Sequence, residues 1–167
     1  MMAMVDALLP EFDREMMITR RLLERVPEDK FTWKPHTKSM SLVELATHLA
    51  TLPAWGAVTL NQSEIDFGGQ NLNTAATSHA DLLARFDKNV SETRSALTSK
   101  SDAEMMAPWS LKQNGQKLFT MPKATVWRGF VLNHLVHHRG QLSVYLRLND
   151  VPVPAMYGPS ADEAPNF

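Results

Sequence analysis

Asn133-His134-Leu135-Val136-His137-His138-Arg139-Gly140-Gln141-Leu142 is the stretch that decides how this chain reads. His134 and His138 are four apart, so on an α-helix they stand one turn above each other on the same face. Two imidazoles placed that way can close on one metal ion, the geometry that zinc-binding helices use. His137 is one residue's step, about 100°, around the helix from His138 and is the poorer partner. Trp127, Val131, His134, His138, Leu142 and Tyr145 form one stripe at helical spacing. It predicts a helix that starts near Pro122 and runs to about residue 149. A third histidine, His48, lies in Glu44-Leu45-Ala46-Thr47-His48-Leu49-Ala50 on another predicted helix. It falls on that helix's inward stripe, three after Leu45 and four before Leu52.

Outward from there the chain is a series of amphipathic segments. Val5, Leu8, Leu9, Phe12, Met16, Thr19, Leu23 and Val26 predict a first helix over 4–26, ended by Pro27 and either kinked or started by Pro10. Residues 28–38 form a polar connector. Ser41 with Glu44 three residues on is a capping box and opens the second helix, which Pro53 bends. Residues 61–77, with Gly68-Gly69, have no apolar period and read as a loop. Ser78 with Asp81 opens a third helix, whose inner face is Leu82, Leu83, Phe86, Val90, Thr93 and Leu97. Between 107 and 121, Trp109 and Leu111, then Asn114-Gly115, then Leu118 and Phe119 predict a β-hairpin with a tight turn. The tail, 151–167, has four prolines and no period. Four long amphipathic helices predict an all-α four-helix bundle with a small hairpin before the last helix, in a single domain over 1–167. The connections are long enough for a topology other than simple up-down-up-down.

Composition narrows the function. The net charge of −1 provides no electrostatic footprint for nucleic acid, and no basic run marks a membrane surface. No apolar stretch reaches transmembrane length, and no basic-then-apolar export signal opens the chain, so the cytoplasm is the expected compartment. There is no cysteine, hence no disulfide, no thiolate ligand and no cysteine nucleophile.

A lone histidine on an apolar stripe reads first as a core residue bonded to a backbone carbonyl. Three of them facing one interior need something that satisfies all three, and a metal does so. Competing metal patterns fail: His-Glu-x-x-His is absent, and Glu44 and His48 are four apart rather than the three of di-iron bundles. The expected site is therefore mononuclear, made by His48, His134 and His138 with open positions, and its ion is Zn²⁺ or Ni²⁺, which imidazoles suit. His36 and His79 read as surface histidines. Trp55, Trp109 and Trp127 read as core, and Glu44 as the partner of Ser41 rather than of an imidazole. Arg139 reads as a surface residue paired with an acid, the alternative being a carboxylate of a substrate.

Together, the His-x-x-x-His-Arg-Gly-Gln run, the capped helix bearing His48, Trp33-Lys34-Pro35 before Ser41 and the ending Tyr157-Gly158-Pro159-Ser160 resemble the DinB/YfiT-like proteins, small metal-binding four-helix bundles. The resemblance spans essentially the whole chain and lays the family's three ligands on His48, His134 and His138. It implies a metal-dependent enzyme that uses a low-molecular-weight bacterial thiol, such as mycothiol or bacillithiol, in transfer to a small electrophile or in isomerisation. It also implies a homodimer, because relatives pair through helices. The family name reflects DNA-damage-inducible expression and does not imply DNA binding. Two other classes stay open: a metal-dependent hydrolase that activates water at the ion, and a non-catalytic metal-binding stress-response protein.

Overall fold

Four long helical segments carry the chain in a computed structural model that describes residues 3–68 and 74–164. They are α1 (Met4–Leu23), α2 (Leu42–Asn61), α3 (His79–Thr98) and a last segment of three parts. Those parts are α5 (Lys123–Val126), a π-helical stretch (Trp127–Asn133) and α6 (His134–Leu148). A five-residue helix, α4 (Asp102–Met106), precedes the hairpin. The bundle is the expected all-α one. α1 packs on α3, α3 on α2, α2 on α6 and α6 on α1, so α1 and α2, neighbours in sequence, lie diagonally. Among the described residues no helix is long and apolar enough to cross a membrane.

The local signals act as the sequence suggests. Ser41 Oγ accepts from the Glu44 N–H at 3.3 Å, and Glu44 Oε2 accepts from the Ser41 N–H at 2.6 Å. These bonds hold the Glu44 carboxyl below its usual range, with help from Lys34. Ser78 caps α3 through the Asp81 N–H. Asn114 (φ 51°) and Gly115 (φ 79°) both take the left-handed conformation that a two-residue hairpin turn demands. The turn joins β2 (Pro108–Gln113) to β3 (Gln116–Pro122), antiparallel with Trp109 opposite Met121 and Leu111 opposite Phe119.

Four details differ from the sequence reading. α1 ends at Leu23 rather than 26, and Pro10 lies inside it, so the helix does not start there. The segment read as a loop contains β1 (Glu64–Asp66), which pairs parallel with β2. Three residues are too few to display a strand period, and only the partner strand reveals them. Gly69 of the loop reading lies outside the described residues. α4 carries its own capping box, Ser101 with Glu104. The last helix widens to π geometry at 127–133 instead of remaining α throughout.

The core is closed by one tight contact. A Cβ on Gly56 of α2 would stand 2.6 Å from Thr93 Cγ2 and 2.7 Å from the Trp127 ring. Trp127 is fully buried and tilts against Phe12 at 5.5 Å, so one indole touches α1 and α2 together. α3 reinforces the same stretch of α2: Thr93 Oγ1 donates to the Pro53 carbonyl (2.6 Å) and Asn89 Nδ2 to that of Ala50 (2.9 Å). Gly56→Ala is expected to cost about 1–3 kcal/mol, the range for overpacking a closed core. A urea midpoint equal to that of the parent would show that α2 can move away freely.

Candidate metal centre

His48 is on α2, and His134 and His138 are on α6, two helices in direct contact. His134 is the first residue after the π stretch. Resumption of α geometry there keeps His134 and His138 one turn apart, and both face α2. π-helical insertions frequently sit at functional sites because they re-aim the residues that follow.

One nitrogen of each ring lies within 4.8 Å of the others, so the group could hold a metal ion. His48 Nε2 is 3.3 Å from His134 Nε2, which is 2.9 Å from His138 Nε2. Nitrogens bound to one tetrahedral zinc at 2.0–2.1 Å stand about 3.3–3.4 Å apart. The first distance matches, and the second requires the α6 rings to part by a few tenths of an ångström. The donor set also fits. His138 Nδ1 lies 2.7 Å from Gln141 Oε1, an oxygen that can only accept, which favours the tautomer with the proton on Nδ1 and Nε2 bare. The Phe130 carbonyl, one turn back, likewise interacts with the His134 ring. A shared proton can bridge two convergent nitrogens but not three, whereas a divalent ion satisfies them all.

All three rings favour the neutral form that binds metal. Burial, then the nearby His138 and His134, pushes His48 down to about 4. Burial also lowers His134 and His138, against the opposing effects of Phe130 and Gln141. His137 is exposed, its Nε2 meets Gln141 Nε2 at 3.1 Å, and it is not part of the converging group. Beside His134 opens a cleft lined by Gly129, Phe130, Asn133, His134 and His137. Phe130 stacks on Phe119 of the hairpin at 5.2 Å, so the π stretch and β3 together shape its apolar side.

The remaining residues singled out in the sequence fall as follows. His36 is exposed, as expected. His79 is half-buried instead of a plain surface residue; its Nε2 lies 3.1 Å from the Leu23 carbonyl at the end of α1. Trp109 and Trp127 are core, while Trp55 is partly buried and stacks on Phe67 at 4.8 Å.

Arg139 requires a correction. It pairs with an acid, but in the interior: it is 1% exposed and reaches Glu15 Oε2 at 2.5 Å. It also donates to the Glu15 carbonyl and Thr19 Oγ1, both at 3.1 Å, and to the Tyr157 hydroxyl. Tyr157 donates in turn to Glu15 Oε2 at 2.7 Å, and its own ionisation is pushed up to about 12 by burial and then by Glu15. The sequence shows Arg139 next to His138 but not that α1 lies behind it. Nothing in the spacing of Glu15 distinguishes it from a surface acid.

The DinB family profile matches residues 1–165. The chain belongs to the DinB family. Uncharacterized protein YrdA of Bacillus subtilis is 23% identical over 163 residues, covering 98% of this chain and 93% of that one. Two crystal structures of DinB-like proteins share its fold with TM-scores of 0.70. One, from Bacillus subtilis, is 20% identical and covers 89% of this chain and 96% of its own. The other, from Bacillus cereus, is 19% identical and covers 93% and 98%. A putative DinB-family member from Exiguobacterium sibiricum aligns with a TM-score of 0.63 at 18% identity, covering 90% and 95%.

Two outcomes are expected of this DinB-family chain. His48 resists protonation when folded but has an ordinary value of 6.5 when unfolded. Between 6.5 and about 4 the unfolded chain therefore binds more protons, and stability rises with pH across that window. Urea midpoints in chelator should fall as the pH drops from about 7 to 5 and fall less steeply in His48→Gln. An identical slope in the variant would assign the effect elsewhere. Arg139→Met should lose about 3–5 kcal/mol by stranding Glu15, and the double Glu15→Met, Arg139→Met should lose less. Equal losses in thermal unfolding would mean the pair is not coupled.

Proposed function

We propose that this protein is a metal-dependent enzyme in which His48, His134 and His138 hold one Zn²⁺ or Ni²⁺. It would transfer a low-molecular-weight thiol to a small electrophile, or use the thiol to isomerise one. The observation that carries the reading is three neutral imidazoles converging beside an open cleft. A divalent ion there supplies Lewis acidity, which favours the thiolate of a bound thiol. The chain has no cysteine, so the sulfur nucleophile must arrive with a cosubstrate. Three neutral ligands leave the ion's positive charge uncompensated and available to that thiolate. Phe130 and Gly129 present an apolar side of the cleft to the electrophile, and Asn133 and His137 a polar one.

The chain would work as a homodimer in the cytoplasm. Gly140, Val144 and Leu148, each four residues from the next, form an exposed stripe along α6, the kind of surface two copies bury. Light scattering at high micromolar concentration should give twice the chain mass; a monomer mass counts against pairing.

The deciding experiment removes metal with chelator at neutral pH and follows helicity and thiol-dependent turnover together. Helicity is expected to persist, because the bundle has its own core. Activity against a panel of simple electrophiles should vanish and return with Zn²⁺ or Ni²⁺. Turnover that survives complete metal removal would sink the proposal, and metal-dependent turnover needing no thiol would make the protein a hydrolase. Metal uptake with no turnover would leave a binding protein.

A further inference from the structure

Gln141 follows His138 by three residues and His137 by four, so its side chain lies over both rings. Its Oε1 is 2.7 Å from His138 Nδ1, and its Nε2 is 3.1 Å from His137 Nε2. The two rings stand 4.8 Å apart at 69° to each other. The amide's ends are chemically distinct: oxygen accepts and nitrogen donates. This orientation favours a proton on Nδ1 of His138 and, on His137, a proton on the nitrogen away from the amide. Reversing the amide would place its NH₂ against His138 Nδ1 and drive that proton to His138 Nε2. That atom lies 2.9 Å from His134 Nε2, so reversal would remove the lone pair the centre needs.

We infer that Gln141 is a positioning residue that holds His138 in the Nδ1–H tautomer and links that state to the tautomer of His137 at the cleft. The inference rests on the three-His reading of the centre. An ordinary alternative is a surface glutamine making two local helix contacts that add slightly to helix stability. That role would affect helicity without affecting tautomers or metal affinity. In the linked form, engagement of His138 Nε2 orients the amide, and the amide leaves His137 Nε2 as an acceptor. His137 lines the cleft, so the state of the centre is transmitted to a group a bound molecule would touch. The geometry therefore gives His137 a place in the site without making it a ligand.

The test uses the whole chain with Gln141→Leu, Gln141→Glu and His137→Ala. Gln141 is exposed, so leucine there does not disturb the core. Zn²⁺ affinity is measured by competition with a chromogenic chelator, and ring ¹⁵N shifts of the metal-free proteins report each tautomer at mildly alkaline pH. Gln141→Leu should bind Zn²⁺ about 10–100-fold more weakly, the usual effect of losing a partner behind a ligating histidine. It should also shift His138 away from the Nδ1–H form. Gln141→Glu, which still accepts from Nδ1, should retain both properties, and His137→Ala should lose less affinity than Gln141→Leu. Unchanged affinity and an unchanged His138 tautomer in Gln141→Leu would overturn the inference, as would a larger loss in His137→Ala. A parent protein that binds neither Zn²⁺ nor Ni²⁺ but loses the Nδ1–H signature on Gln141→Leu would refute the metal reading while supporting the role of Gln141.

Discussion

The close approach of α2 to Trp127 at Gly56 governs the rest of the arrangement. Only a residue without a Cβ lets the α2 backbone meet the indole and Thr93 together. Trp127 is anchored from the far side by Phe12, so the contact sets the spacing of α1, α2 and the last helix at once. His48 lies eight residues before Gly56, a little over two turns earlier and about 80° around the same helix. The spacing that suits the indole also brings His48 within reach of α6. Pro53 lies between them and has no N–H to offer the ladder, and the polar side chains of α3 bond the carbonyls of Ala50 and of Pro53 itself.

The last helix meets that surface with a change of pitch. Its π stretch runs from Trp127 to Asn133, between the packing contact and the first of the two α6 histidines. A wider turn costs good hydrogen-bond geometry, and it persists where packing on both sides requires it. Here the requirement is double: Trp127, Val131 and Leu132 must be buried, and His134 must face α2. The same widening leaves Gly129, Phe130 and Asn133 exposed beside His134, so the cleft and the histidine pair share one cause.

Behind the centre, Arg139 joins three parts of the chain. A guanidinium at 1% exposure loses most of its hydration, which only a full set of acceptors offsets. Glu15, Thr19 and Tyr157 provide them, from α1 and from the tail. The tail is tied further by Glu163 to Arg21 and Arg25, and by Asp162 to Arg147. The segment with no period of its own is thereby held against α1 and α6. Because Arg139 is adjacent to His138, the same ion pair fixes the rotation of α6 on which His138 depends.

Much of this could be read from the residues alone. Helix starts at Ser41 and Ser78, the Asn114-Gly115 turn and the stripe through His134 and His138 are local patterns, and short-range sterics and hydrogen bonds enforce them wherever they occur. The convergence of His48 on that stripe was legible because all three residues lie on inward faces. β1 was not, since three residues acquire strand geometry only from the strand beside them. The burial of Arg139 was not legible either: a charge enters a core only when its acceptors are delivered, and Glu15 and Tyr157 come from opposite ends of the chain. Local periodicity determined which residues face inward. The tertiary structure decided which of them meet, because helix order, the Gly56 contact and the π stretch depend on atoms far apart in sequence.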